Sequence, residues 1–186
     1  MDNSGENISS KNRDYSECTG LYWLWKNTSQ QNYVGLNHYR RRLRIDDESI
    51  AYIKKNDIDV VVALPQLEVD TIKDFLLTHY IPKFDWISLR NAIAESKPEW
   101  LKYFEKFEQG HFYYPCNVCL WKRKWFDKYC EFSFGVAEII ERENESRGLY
   151  RNDRYMGYLF ECMATIFIIA NNENLKVACT DIEWVE

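Results

Sequence analysis

The residues best suited to catalysis or ligand binding lie in one short stretch, 33–43. It begins as an apolar strand and ends in positively charged residues. His38 titrates near neutral pH, and the guanidinium groups at 40–42 match the geometry of phosphate oxygens. Open α/β sheets usually bind ligands at the carboxyl ends of their strands. However, a run of arginines after a strand is more often a solvated turn, and a single histidine is more often structural. Taken alone, this stretch favours that structural interpretation.

A carboxylate in an apolar helical stretch is the second candidate. Glu161 lies among the large apolar side chains of 158–164, where a carboxylate must be paired or functional. Arg154, seven positions earlier, falls on roughly the same helix face. Two interpretations stay open with about equal weight: a structural ion pair with Arg154 or with the arginines at 40–42, and a role in a site.

The cysteine pair with C-x-x-C spacing is not interpreted as a site. Zinc would need a second pair of ligands, and the sequence has no matching C-x-x-C or H-x-x-x-H. Cys116 and Cys119 fall inside a predicted strand over 111–121, where positions three apart face opposite sides. We therefore expect neither a zinc site nor a redox site.

Two pairs of aspartates are candidate metal ligands. Asp57-x-Asp59 resembles the D-x-D pair that holds Mg²⁺ or Mn²⁺ on nucleotide sugars. It precedes its predicted strand instead of following it, so we interpret it as turn chemistry. Asp46 and Asp47 follow the basic strand and are better placed, although their pattern is weaker.

Composition limits the class of protein. The 186 residues are 46% hydrophobic and 28% charged, which indicates one globular domain over 1–186. A net charge of −5 argues against nucleic-acid binding. No apolar run approaches the ~20 residues of a membrane span, and the start lacks a secretory pattern, so we expect a cytoplasmic protein. P-loop, G-x-G-x-x-G and G-x-S-x-G motifs are absent from the sequence.

Hydrophobic periodicity alternates between helical and strand patterns along the chain. This alternation predicts an α/β sandwich around a mixed sheet. We predict helices over 15–26, 46–55, 71–80, 83–96, 98–107, 124–144 and 153–170, and strands over 32–39, 57–65, 111–121 and 175–179.

Blocks spread over nearly the whole chain resemble one bacterial family. They read N-I-S at 7–9, E-x-T-G-L-Y-W at 17–23, Y-V-G-L-x-H-Y-R-R at 33–41, Y-P-x-N at 114–117 and R-x-x-G-Y-L-x-E at 154–161. The sequence is similar to domain-of-unknown-function family 4422, whose members are associated with capsular and exopolysaccharide biosynthesis as glycosyltransferases.

The resemblance implies a GT-A-like transferase of the hexosyltransferase type. It would move a sugar from a nucleotide-sugar donor to a saccharide or lipid-linked saccharide acceptor at the inner face of the membrane. The 38–41 segment occupies the place of a D-x-D motif, which leaves dependence on Mn²⁺ or Mg²⁺ open. The implied catalytic residues are Glu161 and His38, and the implied donor- or substrate-binding residues are Asn7, Lys11, Tyr39, Arg40, Arg41, Asn117 and Arg154.

One departure from the family is expected to matter. Its members usually begin with a strand of the type I-Y-V-x-T-H-K, which this sequence lacks before the block at 7–9. The sheet would then have an exposed edge that favours self-association. The alternative function is accordingly a non-catalytic remnant that binds a sugar or a nucleotide.

Overall fold

The computed structural model describes residues 2–185, in which helices and strands alternate along most of the chain. The helices are α1 (Asn12–Tyr15), α2 (Cys18–Asn27), α3 (Asp47–Asn56), α4 (Ile72–His79), α5 (Lys83–Ser96), α6 (Leu101–Glu108), α7 (Arg123–Ser146) and α8 (Tyr155–Ala170). The strands are β1 (Tyr33–Leu36), β2 (Arg41–Leu43), β3 (Val60–Ala63), β4 (Gln66–Leu67), β5 (Phe112–Tyr113), β6 (Cys119–Lys122), β7 (Val177–Thr180) and β8 (Ile182–Trp184).

The central sheet has four strands in the order β1-β6-β3-β7. Strand β6 runs antiparallel to both β1 and β3, whereas β3 and β7 are parallel. All four residues of β3 are buried, as its continuous β-branched run predicts. Two short ribbons, β2-β8 and β4-β5, flank the sheet. The predicted α/β fold with a mixed sheet between helices is confirmed.

Large side chains from the central sheet and from the helices fill the main core. Trp121 of β6 stacks on Tyr129 of α7 with ring centroids 5.1 Å apart, and Phe104 and Phe160 are fully buried. A smaller apolar cluster, which includes Ile53 of α3, forms apart from this core. Helix α8 is therefore a core helix, which explains why its sequence is so apolar. Among residues 2–185, no helix is long and apolar enough to cross a membrane.

The predicted helix over 15–26 is wrong at its start, because the structure breaks it into α1 and α2. Ser16 ends α1 with a left-handed backbone, φ 52°. Its N–H still donates to the carbonyl of Asn12, and the amide of Asn12 donates to the carbonyl of Ser16. The break leaves Glu17 at the junction between the two helices.

The predicted strand over 111–121 is also wrong. Strands β5 and β6 are separated by a turn in which Cys116 and Asn117 have positive φ values of 77° and 51°. Cys116 thus lies in the turn and only Cys119 lies in a strand. The predicted strand over 32–39 likewise ends at Leu36, and the basic residues form the link to β2. Because β1 and β6 are antiparallel, this link and the Cys116 turn lie at the same end of the sheet.

Strand β1 is at an edge of the sheet, with β6 as its partner within residues 2–185. The N–H of Arg123 donates to the carbonyl of Asn32 across 2.8 Å, so Asn32 and Arg123 form a hydrogen-bonded pair. Along antiparallel strands, hydrogen-bonded pairs alternate with pairs whose backbone groups point away from the partner strand. The backbone groups of Tyr33 and Gly35 consequently point away from β6. These groups have no strand partner among residues 2–185. The missing strand and self-association through an exposed edge both stay predictions.

Gly35 allows β1 to approach β6 closely. A Cβ atom at this position would lie 2.8 Å from the carbonyl oxygen of Cys119 and 3.1 Å from Cδ1 of Leu120. We expect Gly35→Ala to lower the free energy of unfolding by about 1–3 kcal/mol, because backbone must move to relieve the overlap. Urea unfolding measures the change. Gly135→Ala in α7 is the control, because its Cβ would meet nothing within 4 Å; equal effects of the two substitutions would contradict this account.

Candidate functional site

An open cavity of about 350 Å³ lies where the β1–β2 link, the α1–α2 junction and the first turns of α8 meet. Residues distant in sequence line it, and several of them are charged. They are Ser16, Glu17, His38, Arg40, Arg41, Gln66, Leu76, Tyr80, Ile81, Tyr113, Pro115, Cys116, Arg154, Gly157, Tyr158, Glu161 and Cys162. The cavity thus unites His38, Arg40, Arg41, Arg154 and Glu161 of the predicted site residues.

The β1–β2 link brings the predicted basic motif to the cavity. The N–H of Arg41 donates to the carbonyl of His38, and the N–H of Arg40 to Nδ1 of His38. Burial lowers the pKa of His38, and the nearby arginines act in the same direction although Glu17 opposes them. A lowered pKa favours the neutral imidazole, which has a free lone pair that can accept a proton. Tyr39, 73% exposed, packs on the imidazole ring outside the cavity.

Three cavity arginines have no carboxylate partner. Within residues 2–185, Arg40, Arg41 and Arg154 make no ion pair, whereas the adjacent Arg42 pairs with Glu183. The Arg41 guanidinium packs 4.7 Å from the ring centroid of Trp184, and its Nη1 lies 3.3 Å from Sγ of Cys116. Unneutralised guanidinium groups around one cavity create a site suited to an anion.

Arg154 is positioned by the chain reversal that starts α8. It precedes the first turn with a left-handed backbone, φ 63°, and its Nε donates to Oγ of Ser16 across 2.9 Å. Gly157 and Tyr158 of the first turn also line the cavity. The positive end of the α8 dipole therefore adds to the charge of the arginines.

Glu161 is half-buried at the floor of the cavity. Burial raises its pKa to about 8, and the carboxylate of Glu17 acts in the same direction. The backbone N–H of Cys116 and the charge of Arg41 oppose the shift. The structural interpretation of Glu161 was an ion pair with Arg154 or with the arginines at 40–42; the pair with Arg154 is not formed, because Arg154 bonds to Ser16 instead. A carboxyl group with a pKa near neutrality is suited to proton transfer.

Asn117 ties the turn before β6 to the other walls of the cavity. Its Nδ2 donates to Oε1 of Glu17 and to the carbonyl of Gly157, each across 3.0 Å. Its Oδ1 is buried without a hydrogen-bond partner among the described residues. Glu17 is a cavity residue that the sequence did not predict. Its position in the block at 17–23 that resembles the family could have identified Glu17 as a site residue. The predicted continuous helix over 15–26, however, gave no indication that its side chain faces the cavity.

The structure does not bring Asn7 and Lys11 to the cavity. Oδ1 of Asn7 accepts hydrogen bonds from the N–H and Oγ of Ser9, which organises the N-terminal turn. Lys11 forms an ion pair with Glu141 at 2.7 Å. The expected binding roles of Asn7 and Lys11 are therefore not supported by their positions, because both side chains are engaged in local contacts.

The aspartate pairs serve local structure. Asp46 caps α3 by accepting the N–H of Ser49 across 2.8 Å. Asp57 ends the same helix with a left-handed backbone, and Lys122 lies 3.3 Å from Asp59. The turn interpretation of Asp57 is confirmed. Across residues 2–185, no group of three or more His, Cys, Asp or Glu side chains is arranged to hold a metal ion.

A family model described as a domain of unknown function, DUF4422, matches residues 1–172. The chain belongs to this family. The apo structure of the bifunctional glycosyltransferase WbbM matches all of the DUF4422 chain with a TM-score of 0.85 and 24% identity, and the match spans 39% of the WbbM chain. No curated protein matches the sequence. The predicted membership of DUF4422 is confirmed, and at this identity the likeness to WbbM establishes a shared fold.

Proposed function

We propose that this DUF4422 domain is a GT-A-type glycosyltransferase that moves a sugar from a nucleotide-diphosphate donor to a saccharide acceptor. The observation that supports this proposal most is that Arg40, Arg41 and Arg154, which make no ion pair within residues 2–185, surround a cavity that the half-buried Glu161 also lines. The fold shared with WbbM supports the reaction class. We propose a capsular or exopolysaccharide chain, free or lipid-linked, as the acceptor.

The arginines would bind the diphosphate of the donor. Cleavage of the sugar–phosphate bond leaves negative charge on the diphosphate, and preorganised guanidinium groups stabilise that charge as it develops. Arg41 is held by Trp184 and Cys116, and Arg154 by Ser16, so neither group needs to be reoriented. A divalent cation would share this task if the reaction requires one, so the binding experiment includes Mn²⁺.

Glu161 would accept the proton of the attacking hydroxyl. As the acceptor oxygen bonds to the anomeric carbon, its proton passes to the Glu161 carboxylate and the diphosphate leaves with the electrons of the broken bond. A pKa of about 8 places the base near the pH at which such transfer is efficient. His38, whose pKa burial lowers, would be the second group that can accept a proton there.

Calorimetric titration with UDP and GDP, with and without Mn²⁺, tests the donor site. We expect Arg41→Ala to weaken binding of the preferred diphosphate by about 10- to 100-fold, as for the loss of a charged hydrogen bond. Arg42→Ala is the matched control, because Arg42 pairs with Glu183 and does not line the cavity.

The proposal fails if the wild-type protein binds neither diphosphate, or if Arg41→Ala and Arg42→Ala weaken binding equally. Turnover is assayed separately with UDP-, GDP- and CMP-sugars. Binding of a nucleotide without hydrolysis or transfer of its sugar would favour the alternative, a non-catalytic module that uses the same cavity.

A further inference from the structure

Two tyrosines form an exposed aromatic surface at one side of the cavity. The rings of Tyr80, directly after α4, and Tyr158 of α8 stack with centroids 5.8 Å apart and an interplanar angle of 26°. The two residues remain 46% and 36% exposed. Neither belongs to the proposed diphosphate site. We refer to this pair as the tyrosine shelf.

The tyrosine shelf and Arg154 lie on different sides of Glu161. On α8, Gly157 and Tyr158 flank Glu161, since they precede it by four and by three residues. The carbonyl of Gly157 accepts from Asn117, and Oγ of Ser16, which accepts from Arg154, lies 3.1 Å from the position that a Cβ of Gly157 would take. Tyr158 faces Tyr80. Glu161 therefore lies between the side that holds Arg154 and the side that holds the tyrosine shelf.

The order of groups in a nucleotide sugar decides which substrate occupies the shelf. The diphosphate lies between the nucleoside and the sugar, so a donor bound at the arginines with its anomeric carbon at Glu161 directs the nucleoside away from the shelf. A sugar ring, of the donor or of the acceptor, then lies on the far side of Glu161, and we assign it to the acceptor because the acceptor hydroxyl must reach Glu161. This assignment rests on the proposed function.

We propose that Tyr80 and Tyr158 form the acceptor subsite and bind one pyranose ring of a neutral saccharide. Exposed aromatic rings bury the apolar C–H face of a pyranose, and their hydroxyls hydrogen-bond with its rim. Two polar side chains that can hydrogen-bond with sugar hydroxyls, Gln66 and Tyr113, line the same cavity. The hydroxyl of Tyr113 donates to Oε1 of Gln66 across 3.1 Å. The shelf thus selects an uncharged sugar end, in contrast to the anion site beside it.

Saturation-transfer NMR with methyl glycosides as probes tests the subsite. The probes are the methyl pyranosides of galactose, glucose and mannose, with UDP and GDP measured on the same samples. We expect Tyr80→Ala and Tyr158→Ala each to weaken glycoside binding by about tenfold and to leave diphosphate binding within about twofold of wild type. Tyr158→Phe keeps the ring and should retain most of the binding. Tyr52→Ala in α3, which removes a tyrosine 59% exposed away from the cavity, is the control.

The outcomes separate the two proposals. The acceptor subsite is overturned if the wild-type protein binds no methyl glycoside, or if neither alanine substitution changes glycoside binding. Diphosphate binding is judged independently of this result. Uridine or guanosine binding that depends on Tyr80 and Tyr158 also overturns it, because the shelf would then hold the base. Glycoside binding lost with the shelf, in a protein that binds no diphosphate, supports a sugar site and rejects the proposed donor site.

Discussion

Replacing Glu161 with Gln is expected to lower the rate of sugar transfer by about 10²–10⁴-fold, the range for loss of a general base. Gln keeps the shape of the side chain but cannot accept the proton of the acceptor hydroxyl. Because the pKa of Glu161 is about 8, the wild-type rate should rise with pH up to about that value as the carboxyl ionises. Initial rates across this range measure both effects.

The same substitution is expected to stabilise the protein at alkaline pH. The folded-state pKa of Glu161 is raised from 4.5 to about 8, so the folded protein retains a proton that the unfolded chain releases. Stability is therefore lost as pH rises through this window, and the neutral amide of the variant would not share the loss. We expect Glu161→Gln to gain on the order of 1–3 kcal/mol at about pH 9 and little at about pH 4, as urea unfolding would show.

Glu131→Gln is the matched control, since Glu131 is exposed on α7 outside the cavity. It should change neither the rate nor the pH dependence of stability. A Glu161→Gln protein with the wild-type rate would remove Glu161 from the mechanism. A stability gain that is the same at both pH values would contradict the raised pKa.

The long elements could be predicted from the sequence because their periodicity is strong. The apolar faces of α7 and α8 and the β-branched run of β3 determine these elements without tertiary information. The breaks in the predicted helix over 15–26 and in the predicted strand over 111–121 were missed because Ser16, Cys116 and Asn117 take a left-handed backbone and no glycine marks these turns. Arg154, before α8, also has a left-handed backbone.

These four residues also explain why the site was only partly predictable. Ser16, Cys116 and Arg154 line the cavity, and Asn117 contacts Glu17 at its wall. Left-handed backbone in such residues costs energy and persists where surrounding contacts hold it, often at functional sites. Charge and family resemblance could identify arginines, but which residue faces a cavity depends on these local reversals.

A buried ion pair beside the site gives the largest expected effect on stability. Asp85 of α5 is 1% exposed, and its Oδ2 accepts from Nη2 of Arg151 across 2.9 Å. Arg151 also pairs with Asp153 at 2.7 Å and packs on Tyr155, so it anchors the segment that leads into Arg154 and α8. Arg151 therefore connects the packing of α5 to the position of a cavity arginine.

We expect Arg151→Met to lower the free energy of unfolding by about 3–5 kcal/mol, because Asp85 is then left buried without its cation. Burial already raises the pKa of Asp85, and Arg151 opposes that rise. Without Arg151 the folded-state pKa rises further, so the loss should be largest at neutral pH and shrink as acid protonates the carboxyl. Urea unfolding at about pH 7 and about pH 4 measures this difference.

The double variant Asp85→Leu/Arg151→Met distinguishes a missing partner from lost packing. If the cost arises from the unpaired carboxylate, the double variant should recover most of the stability, as replaced buried ion pairs often do. Arg142→Met, which breaks an exposed pair with Glu95, should cost less than about 1 kcal/mol. A double variant as unstable as Arg151→Met would instead assign the loss to the contact of Arg151 with Tyr155 and with the segment that positions Arg154.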